Sequence, residues 1–146
     1  MPASNIESTF PRLRREGYRI TSSESTDYNC FAWAAHDSQN WWSPVDGFGY
    51  HWPRGVTKTL KLESFVELYQ RQYDCQICDS HRLEPGFEKI AIYVNDQKEV
   101  THAARQTCSG SWTSKLGDWE DIEHNTLAAI EGQFYGKVAQ ILKRPI

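Results

Sequence analysis

Cys30 carries the side chain best suited to nucleophilic chemistry, and it lies in the stretch "TDYNCFAWAAHD" at residues 26–37. The Ala- and Trp-rich run predicts a short helix over residues 27–37, with Asp27 as its N-cap. A cysteine on the first turn of a helix lies near unpaired amides and the positive end of the helix dipole, which favour the reactive thiolate. The stretch therefore indicates a cysteine nucleophile. The alternative is a small cysteine buried among the neighbouring rings.

A thiolate nucleophile needs a general base that can also protonate a leaving group, and histidine does this near neutral pH. Among the five histidines, His102 lies in "VTHAARQ", which predicts a strand with small residues around the imidazole. A strand holds an imidazole more rigidly than a loop. Gln106 on the same strand face and Ser114 on the next strand are candidates for the third, orienting residue. The alternatives are a His102 that bonds a backbone carbonyl and polar strand residues without a catalytic role.

Aromatic side chains cluster directly after the cysteine helix. The segment 38–56 mixes them with prolines and glycines, a composition that predicts a structured loop. Large rigid rings bind the faces of peptides or sugars at a low cost in conformational entropy, so part of this loop is expected to line a substrate groove. The candidate substrate-binding residues are Trp41, Trp42, Tyr50 and Trp52. The alternative is a loop whose rings fold onto the core.

Two kinds of periodicity predict the elements that position these residues. Within residues 59–73, apolar side chains recur at helical spacing and predict an amphipathic helix. Short apolar or alternating runs follow, namely "KIAIYVND", "EVTHAARQ", "SWTSKLG" and "GKVAQILKR". Polar turns join the first three, so they predict an antiparallel meander. The segment "DIEHNTLAAIEG" is expected to form a short helix that starts near Asp121 and His124.

The chain has 146 residues, which predicts one domain over residues 1–146. Residues 1–25 are polar and contain prolines, so they are expected to form an extended lead-in to a core at residues 26–146. Helices come first in this core and a mostly antiparallel sheet follows. The order predicts an α+β fold.

Composition excludes several classes of partner. The net charge of −3 leaves no broad basic surface for nucleic acid or an anionic membrane. No apolar run approaches the roughly 18 residues of a membrane span, and the start of the chain lacks a signal-peptide pattern. We therefore expect no nucleic-acid partner, no membrane and a cytoplasmic location. A route of export without a cleavable signal stays open.

The four cysteines are too few for a disulfide scaffold in a chain of this length. Cys75 and Cys78 form a "CQIC" pair with His81 behind it, a pattern that suggests a zinc or redox site. A second pair at ligand spacing is missing, and Cys108 would have to come from a distant hairpin tip. On the expected strand, the two thiols of the pair also point to opposite faces. We therefore expect no metal and no cofactor.

Several motifs resemble known families. A helix cysteine followed by a strand histidine is the order of papain-like cysteine hydrolases. The segment "KIAIYVNDQKEVTHAAR" resembles the β-hairpin of NlpC-type peptidases, a branch of that fold. More closely, the motifs of residues 27–144 resemble an uncharacterised family of small bacterial domains, which implies no activity. These motifs are "YNCFAWAA", "LEPGFEKIAIY", "THAARQ", "WTSKLG", "DIEH" and "YGKV".

The NlpC-type resemblance implies a papain-like α+β fold and a cysteine hydrolase of amide bonds, whether peptidase, amidase or deamidase. Cys30 would attack the carbonyl of a peptide, protein or peptidoglycan substrate, and His102 would pass the thiol proton to the leaving amine. Lys89 stands at the position of the catalytic histidine of that family. This departure favours the alternative, a catalytically inactive papain-like module that binds a protein or peptide partner through the aromatic loop.

Overall fold

The first part of the chain folds into two short helices and a strand, so the prediction of an extended lead-in was wrong. The computed structural model describes residues 3–146, with side chains from residue 5 onward; residues 1 and 2 of that lead-in lie outside the described residues. Ile6, Phe10 and Leu13 are buried at helical spacing, and their burial stabilises this segment. The elements are α1 (Ala3–Thr9), α2 (Pro11–Glu16) and β1 (Tyr18–Ser22).

Two further helices carry the cysteine and the amphipathic pattern. Helix α3 spans Cys30–Ala34, and α4 spans Leu62–Tyr73. The buried side chains of Phe65 and Leu68 confirm the amphipathic helix that the sequence predicts. Helix α4 ends where Asp74 takes a left-handed conformation with φ 53°.

Seven strands form one antiparallel sheet in the order β1-β6-β5-β4-β3-β7-β2. The consecutive strands β3, β4 and β5 form the predicted meander, and β6 continues it. Strand β7 returns to lie beside β3, and β1 pairs with β6. The fold is therefore α+β, as predicted. The remaining strands are β2 (Gln76–Cys78), β3 (Phe87–Val94), β4 (Val100–Gln106), β5 (Trp112–Lys115), β6 (Asp121–His124) and β7 (Lys137–Pro145).

The "DIEH" stretch is strand β6, so the prediction of a helix starting at Asp121 and His124 was wrong. This strand pairs with β1 on one side and β5 on the other. Hydrogen bonds to two neighbours and burial override the weak local preference of a run this short. The only helical part of the segment is a 3-10 helix at Leu127–Ile130, which the Thr126 side chain caps.

Both faces of the sheet are covered, and the sheet separates two buried cores. Helices α3 and α4 cover the side on which Ile92 and Ala103 are buried, which we call the helix face. The helices α1 and α2 and the 3-10 helix cover the side of Tyr93 and Ala104, which we call the histidine face. Adjacent residues of a strand point to opposite faces, so His102 points into the second of these cores.

Candidate functional site

Helix α3 places Cys30 on its first turn, as the sequence predicts. The cap is Asn29 and not Asp27, because the Asn29 Oδ1 accepts a hydrogen bond from the Ala32 amide at 3.2 Å. The same side chain joins the helix to the aromatic loop. Its Oδ1 accepts from the Trp42 amide at 3.1 Å, and its Nδ2 donates to the Trp42 carbonyl at 2.7 Å. Asn29 thus fixes the start of α3 and the position of the loop together.

The Cys30 thiol lies in the core beneath α3. It is 5% exposed and contacts the backbone of Ala103 on β4. Burial raises the pKa of Cys30 to about 12, and the hydrogen bond with the Ala103 backbone and the Lys115 ammonium lower it by less. The start of the helix therefore does not produce a thiolate here, because the loss of hydration outweighs the dipole.

His102 is buried on the histidine face, where it stacks on the Tyr135 ring with ring centres 4.1 Å apart. Its Nε2 lies 3.0 Å from the Ser114 Oγ, and that oxygen lies 2.8 Å from the Nε2 of His124. Burial lowers the pKa of His102 well below its ordinary value of 6.5, with a smaller contribution from His124. Burial lowers the pKa of His124 to about 4. Both imidazoles are therefore neutral near pH 7.

The hydrogen bonds of this His–Ser–His group run in one direction. The Nδ1 of His124 lies 2.9 Å from the Thr126 carbonyl, which can only accept, so Nδ1 carries the proton. The neutral ring then accepts at Nε2 from the Ser114 hydroxyl, and the Ser114 oxygen accepts from the Nε2 of His102. The Nδ1 of His102 is left as an acceptor, and within the described chain it has no hydrogen-bond partner.

The structure does not bring Cys30 and His102 together. Cys30 contacts Ala103 on the helix face, whereas His102, one residue earlier on β4, points into the other core. Ser114 lies beside His102, and Gln106 lies on the same face of β4. The sheet therefore stands between the expected nucleophile and the three residues expected to assist it.

Lys115 lies on the helix face near Cys30, and its side chain is fully buried. Its Nζ donates to the carbonyls of Ser25 and Gly117 at 2.8 and 2.6 Å, and lies 4.9 Å from the centre of the Tyr28 ring. Burial lowers the pKa of Lys115. Lys115 is not among the candidate site residues predicted from the sequence. The alternation of side chains along a strand could have identified Lys115. Ser114 faces away from α3, so the next residue on β5 must face α3.

Asp121 extends this polar group from β5 to β6. Its Oδ2 accepts hydrogen bonds from the Tyr28 hydroxyl at 2.7 Å and from the Ser22 hydroxyl. Its Oδ1 has no hydrogen-bond partner among the described residues. The carboxylate also raises the pKa of Lys115, against the larger effect of burial. This role could not be predicted while Asp121 was expected to start a helix.

Lys89 is buried on the histidine face and faces away from Cys30. It is 1% exposed, and Ala91, two residues later on β3, packs into the same core. Its Nζ donates to the Ser80 carbonyl at 2.8 Å and forms an ion pair with Glu84 at 3.4 Å. Lys89 therefore holds the loop that precedes β3.

Two rings of the aromatic loop anchor it to α4. Trp42 is 5% exposed and packs on Tyr69, with ring centres 6.2 Å apart. Trp52 is half-buried against Phe65, and its Nε1 donates to the Val56 carbonyl at 3.1 Å. Both tryptophans thus fix the loop to the core; Trp42 is buried there, whereas Trp52 keeps part of its surface exposed.

The exposed aromatic residues of the loop are Phe48 and Tyr50. Phe48 is 68% exposed and Tyr50 is 36% exposed, and their rings stack with centres 5.3 Å apart and an interplanar angle of 18°. The Trp41 ring lies 6.1 Å from that of Tyr50. We call Trp41, Phe48 and Tyr50 the aromatic surface. Tyr50 is therefore the predicted substrate-binding residue that is exposed, whereas Trp41, like Trp52, is half-buried.

The cysteines do not assemble into a metal site. All four are free thiols, and Cys75 is buried while Cys78 is partly buried on β2. Among residues 3–146, no three side chains of His, Cys, Asp or Glu come together in a way that could hold a metal ion. In the same part of the chain, no helix has the length and apolar character needed to cross a membrane.

The elements and side chains above define an α+β domain on a seven-stranded antiparallel sheet, with a neutral His–Ser–His group buried on one face. The chain belongs to the family described as "Domain of unknown function (DUF7689)", which matches residues 19–143. That match begins within β1, so α1 and α2 precede it. No curated protein matches the chain, and no solved structure matches it.

Proposed function

We propose that this domain is a non-catalytic module that binds a protein or peptide partner through the aromatic surface. The observation that carries the proposal is the exposure of Phe48 and Tyr50, two stacked rings on a loop that Trp42 and Trp52 anchor to the core. Aromatic side chains on a rigid support lose little conformational freedom on binding, and they dominate the energy of many interfaces.

The loop that carries the surface is held in place by several contacts. Asn29 bonds both backbone groups of Trp42. The Trp42 Nε1 donates to the Asp37 carboxylate at 2.8 Å, and the Trp42 ring packs on His51 at 5.1 Å. These contacts favour a surface that is already formed before a partner arrives, which reduces the ordering cost of binding.

The polar groups around the aromatic surface favour an apolar segment of protein or peptide over a sugar. A sugar stacked on rings also needs polar side chains that are free to bind its hydroxyls. Asp46 forms an ion pair with Lys58 at 2.6 Å. Asp37 accepts hydrogen bonds from Trp42 and from the backbone amides of Gln39 and Asn40. The Asp37 carboxylate is therefore used within the chain, which favours apolar contacts to the rings, while Asp46 is 81% exposed and paired with Lys58 through its Oδ1.

The proposal includes a papain-like frame without a cysteine–histidine pair. Its support is helix α3, which starts with Cys30 and packs across β4 and β5 of an antiparallel sheet. The four free cysteines support a cytoplasmic location, where thiols stay reduced.

Selection from a phage-displayed library of random peptides on the immobilised full chain tests the proposal. Selected peptides are synthesised, and their Kd is measured against the unmodified chain and the double variant Phe48→Ala/Tyr50→Ala. Phe134→Ala is the matched control, because Phe134 is another aromatic side chain, 60% exposed, outside the loop. We expect apolar peptides whose Kd rises at least about tenfold in the double variant and stays unchanged in the control. No selected peptide, or peptides that bind the double variant equally well, would contradict the proposal.

A cysteine hydrolase of amide bonds is the second candidate, and the position of Cys30 on the first turn of α3 favours it. The burial of the thiol and the position of His102 on the other face count against it. Iodoacetamide labelling of the folded chain near neutral pH separates the two candidates. Selective alkylation of Cys30 would support the hydrolase, whereas a protected Cys30 supports the binding module.

A further inference from the structure

A cleft on the histidine face lies apart from the aromatic surface and has no role in the proposed function. Its volume is about 580 Å³, and it opens between the loop before β3, the adjoining ends of β4 and β5, and the 3-10 helix. Its lining includes His81, Gln106, Trp112, Leu127 and Ile141. A cleft of this volume lies within the range of small-molecule sites.

The inner wall of the cleft is apolar. Trp112, Leu127 and Ile141 belong to the core of the histidine face and are nearly completely buried. Leu83, which is 50% exposed, lines the cleft from the loop before β3. A wall of one indole ring and branched aliphatic side chains favours a ligand with a ring system.

Gln106 is the polar group of this wall, and its amide has a fixed orientation. The side chain is 5% exposed, and its Nε2 donates to the His81 carbonyl at 2.8 Å. The carbonyl cannot donate, so the amide nitrogen must stay on that side. The Oε1 is then a buried acceptor, and among the described residues nothing donates to it. Buried acceptors are nearly always satisfied in folded proteins, so this atom calls for a donor from elsewhere.

The charged residues along the cleft disfavour an anionic ligand. Glu131 already accepts a hydrogen bond from the Val138 amide at 3.1 Å through its Oε2. The remaining charged residues of the lining are Asp79 and Arg82, which have opposite signs. Asp79 and Glu131 against Arg82 leave one negative charge in excess, so an anionic ligand would be repelled.

We propose that this cleft binds a small uncharged molecule that carries an aromatic or heteroaromatic ring and an N–H donor. The ring packs on Trp112 and Leu127, and the N–H donates to the Oε1 of Gln106. Gln106 also lines a neighbouring cavity of about 350 Å³, beside Cys108, which leaves room for substituents on the ring. This site is independent of the aromatic surface.

A pair of matched probes tests the proposal on the full chain. Benzamide and methyl benzoate share a phenyl ring and a carbonyl group, but only benzamide has an N–H donor. Each is titrated into ¹⁵N-labelled protein while the backbone amides of Gly110 and Thr126, two lining residues, are followed by NMR. We expect saturable shifts with both compounds and a Kd about fivefold to tenfold lower for benzamide, the usual contribution of one hydrogen bond. The absence of saturable shifts, or equal Kd values, would overturn the proposal.

Three variants tie the preference to one atom. Gln106→Met removes the acceptor at similar length and should make the two Kd values equal. Asn125→Ala changes another polar lining residue and should preserve the preference. Ala128→Phe fills the cleft from its partly exposed rim and should raise the Kd of both compounds. This variant tests the site even if Gln106→Met does not fold. A preference for benzamide that survives Gln106→Met contradicts the assignment, and so does unchanged binding to Ala128→Phe.

Discussion

The two faces of the sheet bury polar side chains in different ways. On the histidine face, His102, Ser114 and His124 satisfy one another as neutral groups. On the helix face, Lys115 and Asp121 are buried among carbonyls and hydroxyls. Burying a neutral hydrogen-bonded group costs far less than burying an ionised one, so the two faces differ in what each substitution and each change of pH should do.

This difference also separates the residues that sequence reasoning joined. Cys30 belongs to the helix face, where burial keeps its thiol protonated, and His102 belongs to the histidine face, where burial keeps its imidazole neutral. Two reactive residues of the right type and chain order are therefore not enough to form a catalytic pair. Strand β4 directs the His102 side chain to the face opposite Cys30. A shift of one residue in the position of β4 would exchange the two faces.

The largest expected effect concerns the thiol of the helix face. With its pKa at about 12, Cys30 holds about three orders of magnitude less thiolate near neutral pH than an ordinary cysteine does. Alkylation of Cys30 by iodoacetamide in the folded chain should therefore be about a thousandfold slower than in guanidinium. Peptide mass mapping after a short pulse measures both rates. The exposed Cys108 is the internal control. A folded-state rate for Cys30 that matches that of Cys108 would falsify this assignment.

The second prediction concerns how the free energy of unfolding changes in acid because of the histidine face. Both imidazoles stay neutral when folded, whereas the unfolded chain takes up protons below the ordinary histidine pKa of 6.5. The free energy of unfolding should fall as the pH drops from 6.5 to about 4, by roughly 3 kcal/mol from His124 alone. Urea unfolding at a series of pH values measures the slope. His81→Gln, at an exposed position, should leave that slope unchanged. A stability that does not vary over this range contradicts neutral burial.

Substitutions at two neighbouring residues of β5 compare the two faces directly, because Ser114 lies on the histidine face and Thr113 lies on the helix face. Ser114→Ala removes the hydroxyl between two buried imidazoles, which leaves one donor and one acceptor unsatisfied and should cost about 3 kcal/mol. Thr113→Val removes a single hydrogen bond from the Trp33 Nε1, at 3.0 Å, on the partly buried helix face. That change should cost about 1 kcal/mol. Equal losses in chemical denaturation would show that the His–Ser–His group has no special role in stability.

The smallest effect concerns two asparagines that join elements on different faces. Asn29→Ala removes the cap of α3 and both bonds to Trp42, and it should cost about 2 kcal/mol. Asn125→Ala removes one exposed bond to the Glu16 carbonyl, and it should cost less than about 1 kcal/mol. Thermal unfolding of both variants checks the order, and a larger loss for Asn125→Ala would reverse our account of what holds the aromatic loop.

Local patterns predicted the elements with strong periodicity. Helix α4 and the strands β3, β4 and β5 follow from alternation and from helical spacing, and Cys30 does begin a helix. The first 25 residues and β6 were missed because their order depends on distant partners. Tyr18 and Ile20 on β1 pair with His124 and Ile122 on β6, and neither short strand is specified by its own residues alone.

The candidate site could be predicted only in part. Strand alternation placed His102 beside Ser114, and it also separates His102 from Ala103. Alternation does not predict which of these two residues faces α3. Strand β4 is buried on both faces, so neither face is marked by a row of exposed polar residues. The burial of Cys30 and Lys115 likewise depends on how residues 18–28 and the helix cover the sheet, which is a property of the whole fold.

The pairing of β1 with β6 also sets an order of assembly. The hairpin of β3 and β4 closes over a short turn, whereas β1 finds its partner only near residue 124. Contacts between distant parts of a chain form late, because closing a long loop costs entropy before any contact is gained. During synthesis, β1 must therefore wait until residues 121–124 have left the ribosome. Until then, α1 and α2 lack part of the core that they cover, and their apolar side chains are open to chaperones.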